Sequence, residues 1–400
     1  MVKALKIGFE FIASYGFACV VFLLLLLLVF LGTIEQVDHG LYEVQKRYFE
    51  SLFLVHWFEP FGGRLAIPLP LPGVYLLLIL FTVNLIAGGI VRMRKNKNTV
   101  GNLIIHGGML FMIAGGFVNF KFAQDGHMTL AESQRSDEFV SYYDWEIAIA
   151  QPENGVYQSE YLVPHERLAY LAPEDSAAFT RDDLPFELVV EGFQRNCQPM
   201  AMGPMMPHEG ELVDGFTLHG MPLDKEAERN IAGAYATVRE KKSGATQKAI
   251  LWGFSAHPWT VTVDGKPYLI DLRHRRYALP FTIVLDKFTH ELHPRTQMAK
   301  TFMSDVTKIE NGVSQAIKIT MNEPLRHKGY TFYQASWQPA NPQLGTPVKS
   351  TLAVVKNPAD QWPLYSCIVI SAGLLIHFTA KLLKYLRAEN KRLVARGATT

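Results

Sequence analysis

Four stretches of this chain run for about twenty positions without a charged residue. They are residues 11–34, 73–91, 98–120 and 361–380, and the first holds the unbroken run Leu23–Leu28. At ~1.5 Å rise per residue, twenty positions reach ~30 Å, the thickness of a hydrocarbon core. The pattern predicts four transmembrane helices. The first is too long for the apolar part of a cleaved signal peptide, and no Ala-x-Ala site follows Leu31-Gly32-Thr33, so it reads as an anchor.

The 240 residues between the third and fourth stretches have a different period. Alternating or β-branched runs recur at Tyr143–Ala150, Phe186–Phe193, Ala234–Val238, Ala249–Phe254, Trp259–Val263, Tyr268–Leu272, Phe281–Phe288, Tyr330–Ala335 and Leu352–Val355. Ser243-Gly244, Asp264-Gly265 and Asn311-Gly312 are hairpin signals, because tight hairpin turns need positive φ. The expectation is a mostly β domain, a sandwich or an open barrel. Only a short stretch such as Lys225–Ile231 looks helical, and 171–184 and 196–230 read as long loops. Between the first two spans, Asp38–Trp57 spaces Leu41, Val44, Tyr48, Leu52 and Val55 as an amphipathic helix would. Ile67-Pro68-Leu69-Pro70-Leu71-Pro72 cannot be helical, since alternate prolines remove donors and fix φ; it reads as a stiff lead-in. The expected division is 1–34 (first span), 35–72 (outer loop with amphipathic helix), 73–120 (a hairpin of two spans), 121–360 (β-rich domain) and 361–400 (fourth span and basic tail).

Charge sets orientation. Lys3 and Lys6 precede the first span. Arg92, Arg94, Lys95 and Lys97 join the second to the third. Lys381, Lys384, Arg387, Lys391, Arg392 and Arg396 follow the fourth. Four spans put all three clusters on one side, which the positive-inside rule makes cytoplasmic. The expectation is a multi-pass protein of a bacterial inner membrane, with cytoplasmic termini and the β domain on the periplasmic side. Lys+Arg 39 against Asp+Glu 37 leaves a net charge of +2, which gives no ground for a nucleic-acid partner. Three cysteines exclude a disulfide framework and a Cys-rich zinc site, and an unpaired Cys197 reads as a buried bystander. Cys-x-x-Cys-His, the phosphate-binding Gly-x4-Gly-Lys-[Ser/Thr] and His-Glu-x-x-His are all absent.

The candidate chemistry lies with the histidines. His106 falls inside the third span and His377 inside the fourth. An unpaired imidazole in lipid is costly, so such a ring faces a neighbouring helix, a cavity or a metal. At 100° per residue, Gly108 and Gly115 lie at about 200° and 180° from His106, so the smooth face that admits a neighbouring helix is opposite the ring. Imidazole is a good axial ligand for haem iron. His377, about four residues from Lys381, reaches interfacial water more readily and is the weaker candidate. Met200, Met202, Met205, Met206 and His208 near Cys197 suit either Cu(I) or an adaptable contact surface, or simply pack on the domain. His290 and His293 have metal-like spacing without a third ligand. Arg273-His274-Arg275-Arg276 is a short basic patch, suited to acidic groups or to a solvated strand end. No Ser/His/Asp or Cys/His constellation marks a catalyst.

In order along the chain stand Leu31-Gly32-Thr33-Ile34-Glu35-Gln36, Val83-Asn84-Leu85, Ile105-His106-Gly107-Gly108-Met109-Leu110, Leu279-Pro280-Phe281, Leu285-Asp286-Lys287-Phe288, Met321-Asn322-Glu323-Pro324-Leu325, Gly329–Ser336 and Lys356-Asn357-Pro358. On a four-span scaffold with one large outer domain, this series resembles the cytochrome c biogenesis family ResB, also called CcsB, over essentially the whole chain. The resemblance implies system II cytochrome c maturation: a non-catalytic subunit working with a CcsA/ResC-type membrane protein to export haem b and present apocytochrome c for covalent attachment. It also implies that His106 is a haem ligand within the membrane, with haem shared with that partner. The partner's tryptophan-rich haem-handling motif is not in this chain. The long loop 32–72 and the Met-rich stretch 196–208 depart from the family pattern. Two other readings stay open: a small b-type haem electron-transfer subunit using His106 and His377, and a cofactor-free scaffold binding a periplasmic partner.

Overall fold

The computed structural model describes residues 2–58, 67–153, 156–172, 174–203, 211–295, 299–343 and 345–397. They divide into a helical unit, residues 1–123 with 357–400, and a β unit, Gln124–Lys356.

The helical unit begins with α1 (Val2–Ile12) and α2 (Tyr15–His39). Between them the Ser14 side chain accepts a hydrogen bond from the Phe17 amide, an N-cap that starts α2 afresh. A single turn, α3 (Leu41–Val44), runs into a π turn over Gln45–Phe49. Strands β1 (Phe53–Phe58) and β2 (Ile67–Pro72) pair antiparallel, and α4 (Val74–Ile86) follows, its end wound into a π turn over Ala87–Val91. Then comes α5 (Val100–Phe122). The helix expected over Asp38–Trp57 therefore stops at Phe49. Beyond it, Leu54 and His56 turn inward at every second position, a strand period that the helical spacing of the earlier apolar residues masks. The proline-alternating segment is the partner strand of that hairpin.

The β unit carries β3 (Gln124–Ala131), β4 (Arg135–Glu153), β5 (Val156–Val163), the turn α6 (His165–Leu168), β6 (Ser176–Phe179), β7 (Phe186–Gln194), β8 (Cys197–Ala201), β9 (Phe216–Gly220), β10 (Gly233–Glu240), β11 (Thr246–Trp252), β12 (Trp259–Val263), β13 (Lys266–Leu292), β14 (Ala299–Glu310), β15 (Val313–Thr320), β16 (Leu325–His327), β17 (Tyr330–Gln338) and β18 (Lys349–Lys356). α7 (Trp362–Gly397) then returns to the helical unit.

The largest sheet runs β15-β14-β13-β4-β3-β18-β17-β16, with β5 and β12 added at the far ends of β4 and β13. Among the described residues its end strands β15 and β16 are not paired with each other, so the sheet is open and not a closed barrel. A second sheet, β11-β10-β7-β6, shares a core with β4, β12 and β13, including Ile147, Phe186, Val190, Ala234, Val261 and Ile270. A separate core of Phe139, Phe281, Ile283, Leu285, Phe332 and Val354 fills the other end. The long strands β4 and β13 run through both. Asp264-Gly265 and Asn311-Gly312 form the expected hairpin turns, with φ of 52° and 74°, and 49° and 78°. The stretches 171–184 and 196–230 are less loop-like than expected: they contain β6 and the β8–β9 hairpin, while Lys225–Ile231 supplies only a 3₁₀ turn at Ala227–Arg229.

Four helical stretches, Tyr15–His39, Val74–Val91, Val100–Phe122 and Trp362–Val394, are long and apolar enough to cross a membrane. Between 11% and 33% of their most apolar windows is buried within the chain, so most of these side chains are left to lipid or to partner helices.

Candidate functional site

α5 meets α7 along a seam of glycines. A Cβ on Gly101 would stand 2.7 Å from the Gly373 carbonyl, on Gly108 2.7 Å from Ile370 Cγ1, and on Gly115 3.1 Å from Trp362 Cβ. The three glycines repeat every seven residues and allow the backbones to approach closely. This is the face the helical spacing places opposite His106.

The His106 ring points the other way. Its Nδ1 lies 2.8 Å from the carbonyl oxygen of Gly89, in the π turn that ends α4. A carbonyl only accepts, so Nδ1 carries the proton, and in the neutral ring Nε2 keeps its lone pair. The bond satisfies one of the orphan carbonyls a helix leaves at its C-terminal end. Gly89 is a glycine for a packing reason: a Cβ there would lie 2.6 Å from Nδ1. Two neighbours do the same for α1. Asn84 Nδ2 donates to the Ile12 and Ser14 carbonyls at 2.5 and 3.1 Å, and Arg92 Nη1 donates to Ala13 O at 3.1 Å.

These residues line a cavity of about 430 Å³, within the range of ligand pockets. Phe22, Phe81, Leu85 and Met109 give it apolar walls, and Arg92 and Arg94, both exposed, line it with His106. An imidazole with a free nitrogen, apolar walls and two cations in the lining suit a flat macrocycle that carries carboxylates. Sequence reasoning singled out His106 but not Gly89 or Met109. The only signal for Gly89 is the Gly88-Gly89 pair at the end of an apolar run.

His377 is elsewhere. Its backbone N and Cβ pack against Gly101, on the glycine face of α5, and its Nδ1 is buried without a hydrogen-bond partner. The structure does not bring His106 and His377 together.

The other candidates in the β unit are built into its packing. The basic patch is neutralised: Arg273 bridges Glu146 and Glu160 at 3.1 and 2.6 Å, Arg275 meets Glu166 at 2.9 Å, and Arg276 meets Glu138 at 3.2 Å. His290 stacks on Phe302 with centroids 4.8 Å apart and lies tilted against Trp337 at 4.6 Å. Cys197 is fully buried against Gly233, and burial pushes its thiol up to about 12, so it is no soft thiolate ligand. Met205, Met206 and His208 lie outside the described residues. No group of three His, Cys, Asp or Glu residues able to hold a metal ion occurs among the described residues.

Residues 252–350 match the model of the ResB-like family. Over that stretch the chain is similar to the ResB-like family. The stretch runs from the end of β11 to the start of β18 and includes most of the larger sheet; it does not reach α5. The chain is also similar to the cytochrome c biogenesis protein CcsB of Prochlorococcus marinus strain NATL2A, 39% identical over 89 residues, which are 20% of this chain and 21% of that protein. It is 42% identical over 69 residues to CcsB of Prochlorococcus marinus strain NATL1A and 38% identical over 68 residues to CcsB of Synechococcus sp. strain CC9902, each 17% of this chain and 16% of the relative. These matches span about a fifth or less of the curated relatives. Within the ResB-like stretch, Leu279-Pro280-Phe281 lies where β13 breaks its register with β4 and goes on to pair with β14. Pro280 thus falls where no ladder donor is required, and Leu279 and Phe281 both enter the core.

Proposed function

We propose that this protein is a subunit of a cytochrome c maturation apparatus in a bacterial inner membrane. In this reading it works with a CcsA/ResC-type membrane protein, and the helical unit offers His106 as an axial ligand for haem b. The observation that carries the proposal is the fixed tautomer of His106: Nδ1 is held by Gly89, Nε2 is free, and the ring lines a cavity with Arg92 and Arg94. The ResB-like stretch and the CcsB relatives support the pathway.

The residues that would hold haem are His106 through Nε2, with Arg94, and Arg92 beside its bond to Ala13, opposite the carboxylates. Haem supplies the vinyl groups to which apocytochrome thiols add. This chain's own part is to orient the imidazole and keep the pocket walls apolar. Because His377 lies on the other face of α5, it would not hold the same haem as His106, which separates this reading from a self-contained b-type cytochrome. The basic clusters support a topology with both termini in the cytoplasm and the β unit in the periplasm, where in this reading it presents apocytochrome c to the complex. Holding both reactants makes bond formation a local event.

The test is to co-express the chain with its CcsA-type partner, purify the pair in mild detergent and record absorption spectra. A Soret band that weakens in His106→Gly and recovers with added imidazole supports the assignment. Identical spectra in wild type and variant remove His106 from the site, and a colourless pair overturns the haem reading.

A further inference from the structure

The hairpin β1–β2 carries an apolar face that is left exposed among the described residues. Register pairs Phe53 with Pro72, Val55 with Pro70 and Trp57 with Pro68, so these six residues share one face. Phe53 is 72% exposed and Trp57 51%, and the face bears no charge. A groove of about 520 Å³ along it is lined by Phe53, Leu54, Val55, Pro70, Leu71 and Pro72.

We infer that this face lies in the interfacial layer of the lipid bilayer, on the side opposite the Arg92–Lys97 cluster. Three observations converge on lipid. First, the reverse face is part of the span core: Leu54 and Leu71 pack with Val21, Leu28, Leu77 and Phe81, and Gly73 leads straight into α4. The exposed face is thus continuous with the lipid-facing surface of the helices. Second, the hairpin's position is fixed by a buried network. Tyr48 donates to Glu35 Oε1 at 3.1 Å, and His56 Nδ1 stands 2.6 Å from the Tyr48 oxygen, tying β1 to the end of α2. Third, the outer edge of β2 is a poor template for a further strand. The Gly73 amide donates to the Leu52 carbonyl at 2.7 Å, so odd positions of β2 face β1 and the prolines face outward. From Pro68 to Pro72 that outer edge has no N–H. On the other edge the Val55 carbonyl accepts from Arg47 Nη2 at 2.6 Å. An edge without donors is a poor template for another strand, and the proline carbonyls it keeps can accept from water at the interface. Aromatic rings, Trp above all, favour this layer.

The inference stands apart from any haem chemistry. It is tested on the full chain in nanodiscs whose phosphatidylcholine is brominated either near the headgroup end of the acyl chain or near its tip. Trp57 and Trp362 are the two tryptophans of the helical unit. The expected result is that the part of the emission quenched by shallow bromines falls by about half in Trp57→Phe. Trp57 emission quenched by aqueous iodide instead, or by neither quencher, overturns the inference. The first outcome places the face in water and the second beneath protein.

Discussion

His106 Nδ1 donates to the Gly89 carbonyl across 2.8 Å, and Gly89 has no side chain because that ring occupies the space a Cβ would need. One bond links the third span to the end of the second and fixes which imidazole nitrogen is available.

Gly89→Ala is therefore expected to act at His106 without touching its chemistry. A Cβ 2.6 Å from Nδ1 forces the ring to move, at an overpacking cost of about 1–3 kcal/mol. In the complex with the partner, the Soret band of Gly89→Ala falls as in His106→Gly. Added imidazole restores the band in His106→Gly but not in Gly89→Ala, where the displaced ring still fills the pocket. Rescue of both would show that Gly89 does not position the ring.

The glycine seam gives a cleaner contrast. Gly101→Leu drives a side chain into the Gly373 carbonyl and the His377 backbone, whereas a Cβ on Gly107 meets nothing within 4 Å. The expected outcome is a Gly101→Leu protein destabilised by about 1–3 kcal/mol and a Gly107→Leu protein at least as stable as the parent. Thermal melts in detergent check both; equal melts would mean that α5 and α7 do not pack along this seam.

Much of this was legible in the sequence and some was not. The spans follow from uncharged runs, because lipid tolerates no alternative. The position of His106 opposite Gly108 follows from helical geometry. Its partner does not, since a backbone carbonyl at a helix end leaves no mark in the sequence. Helical spacing from Leu41 to Val55 masked β1, whose inward pair Leu54 and His56 is too short to show a period. The edge strand β15 and its neighbour β14 also escaped notice, because polar residues such as Lys308, Ser314, Gln315 and Lys318 interrupt the apolar alternation that marks a half-buried strand.

Tyr48 is fully buried, and burial together with the nearby Glu35 carboxylate pushes its hydroxyl up to about 12, so it is a donor at neutral pH. Tyr48→Phe leaves Glu35 and His56 without their shared hydroxyl and is expected to cost about 1–3 kcal/mol. Hydrogen exchange read by mass spectrometry should speed up in β1 and β2 while α5 and α7 stay protected. A change spread evenly over all helices would assign Tyr48 to general packing rather than to holding the hairpin.

The β unit should be sensitive to acid at a pair of buried histidines. His127 on β3 and His274 on β13 lie on the same face of the sheet, beside the bulge at Ser141–Asp144, and the Nδ1 of each is buried without a partner. Burial drives His274 down to about 4, assisted by His127, and burial lowers His127 against the pull of Glu228. Asp144 also faces His274, Tyr142 lies over His127, and Trp145 stacks on His274 with centroids 3.9 Å apart. Both rings are neutral in the folded state. The unfolded chain protonates them near 6.5, so below that pH it binds protons the folded state does not. The stabilising contribution is whole above about 6.5 and is lost as pH falls toward 4. Melts of the full chain in detergent should show Tm dropping by several degrees between pH 7 and 4.5, with His274→Gln reducing the drop. A variant that loses as much as the parent would place the acid sensitivity in other groups.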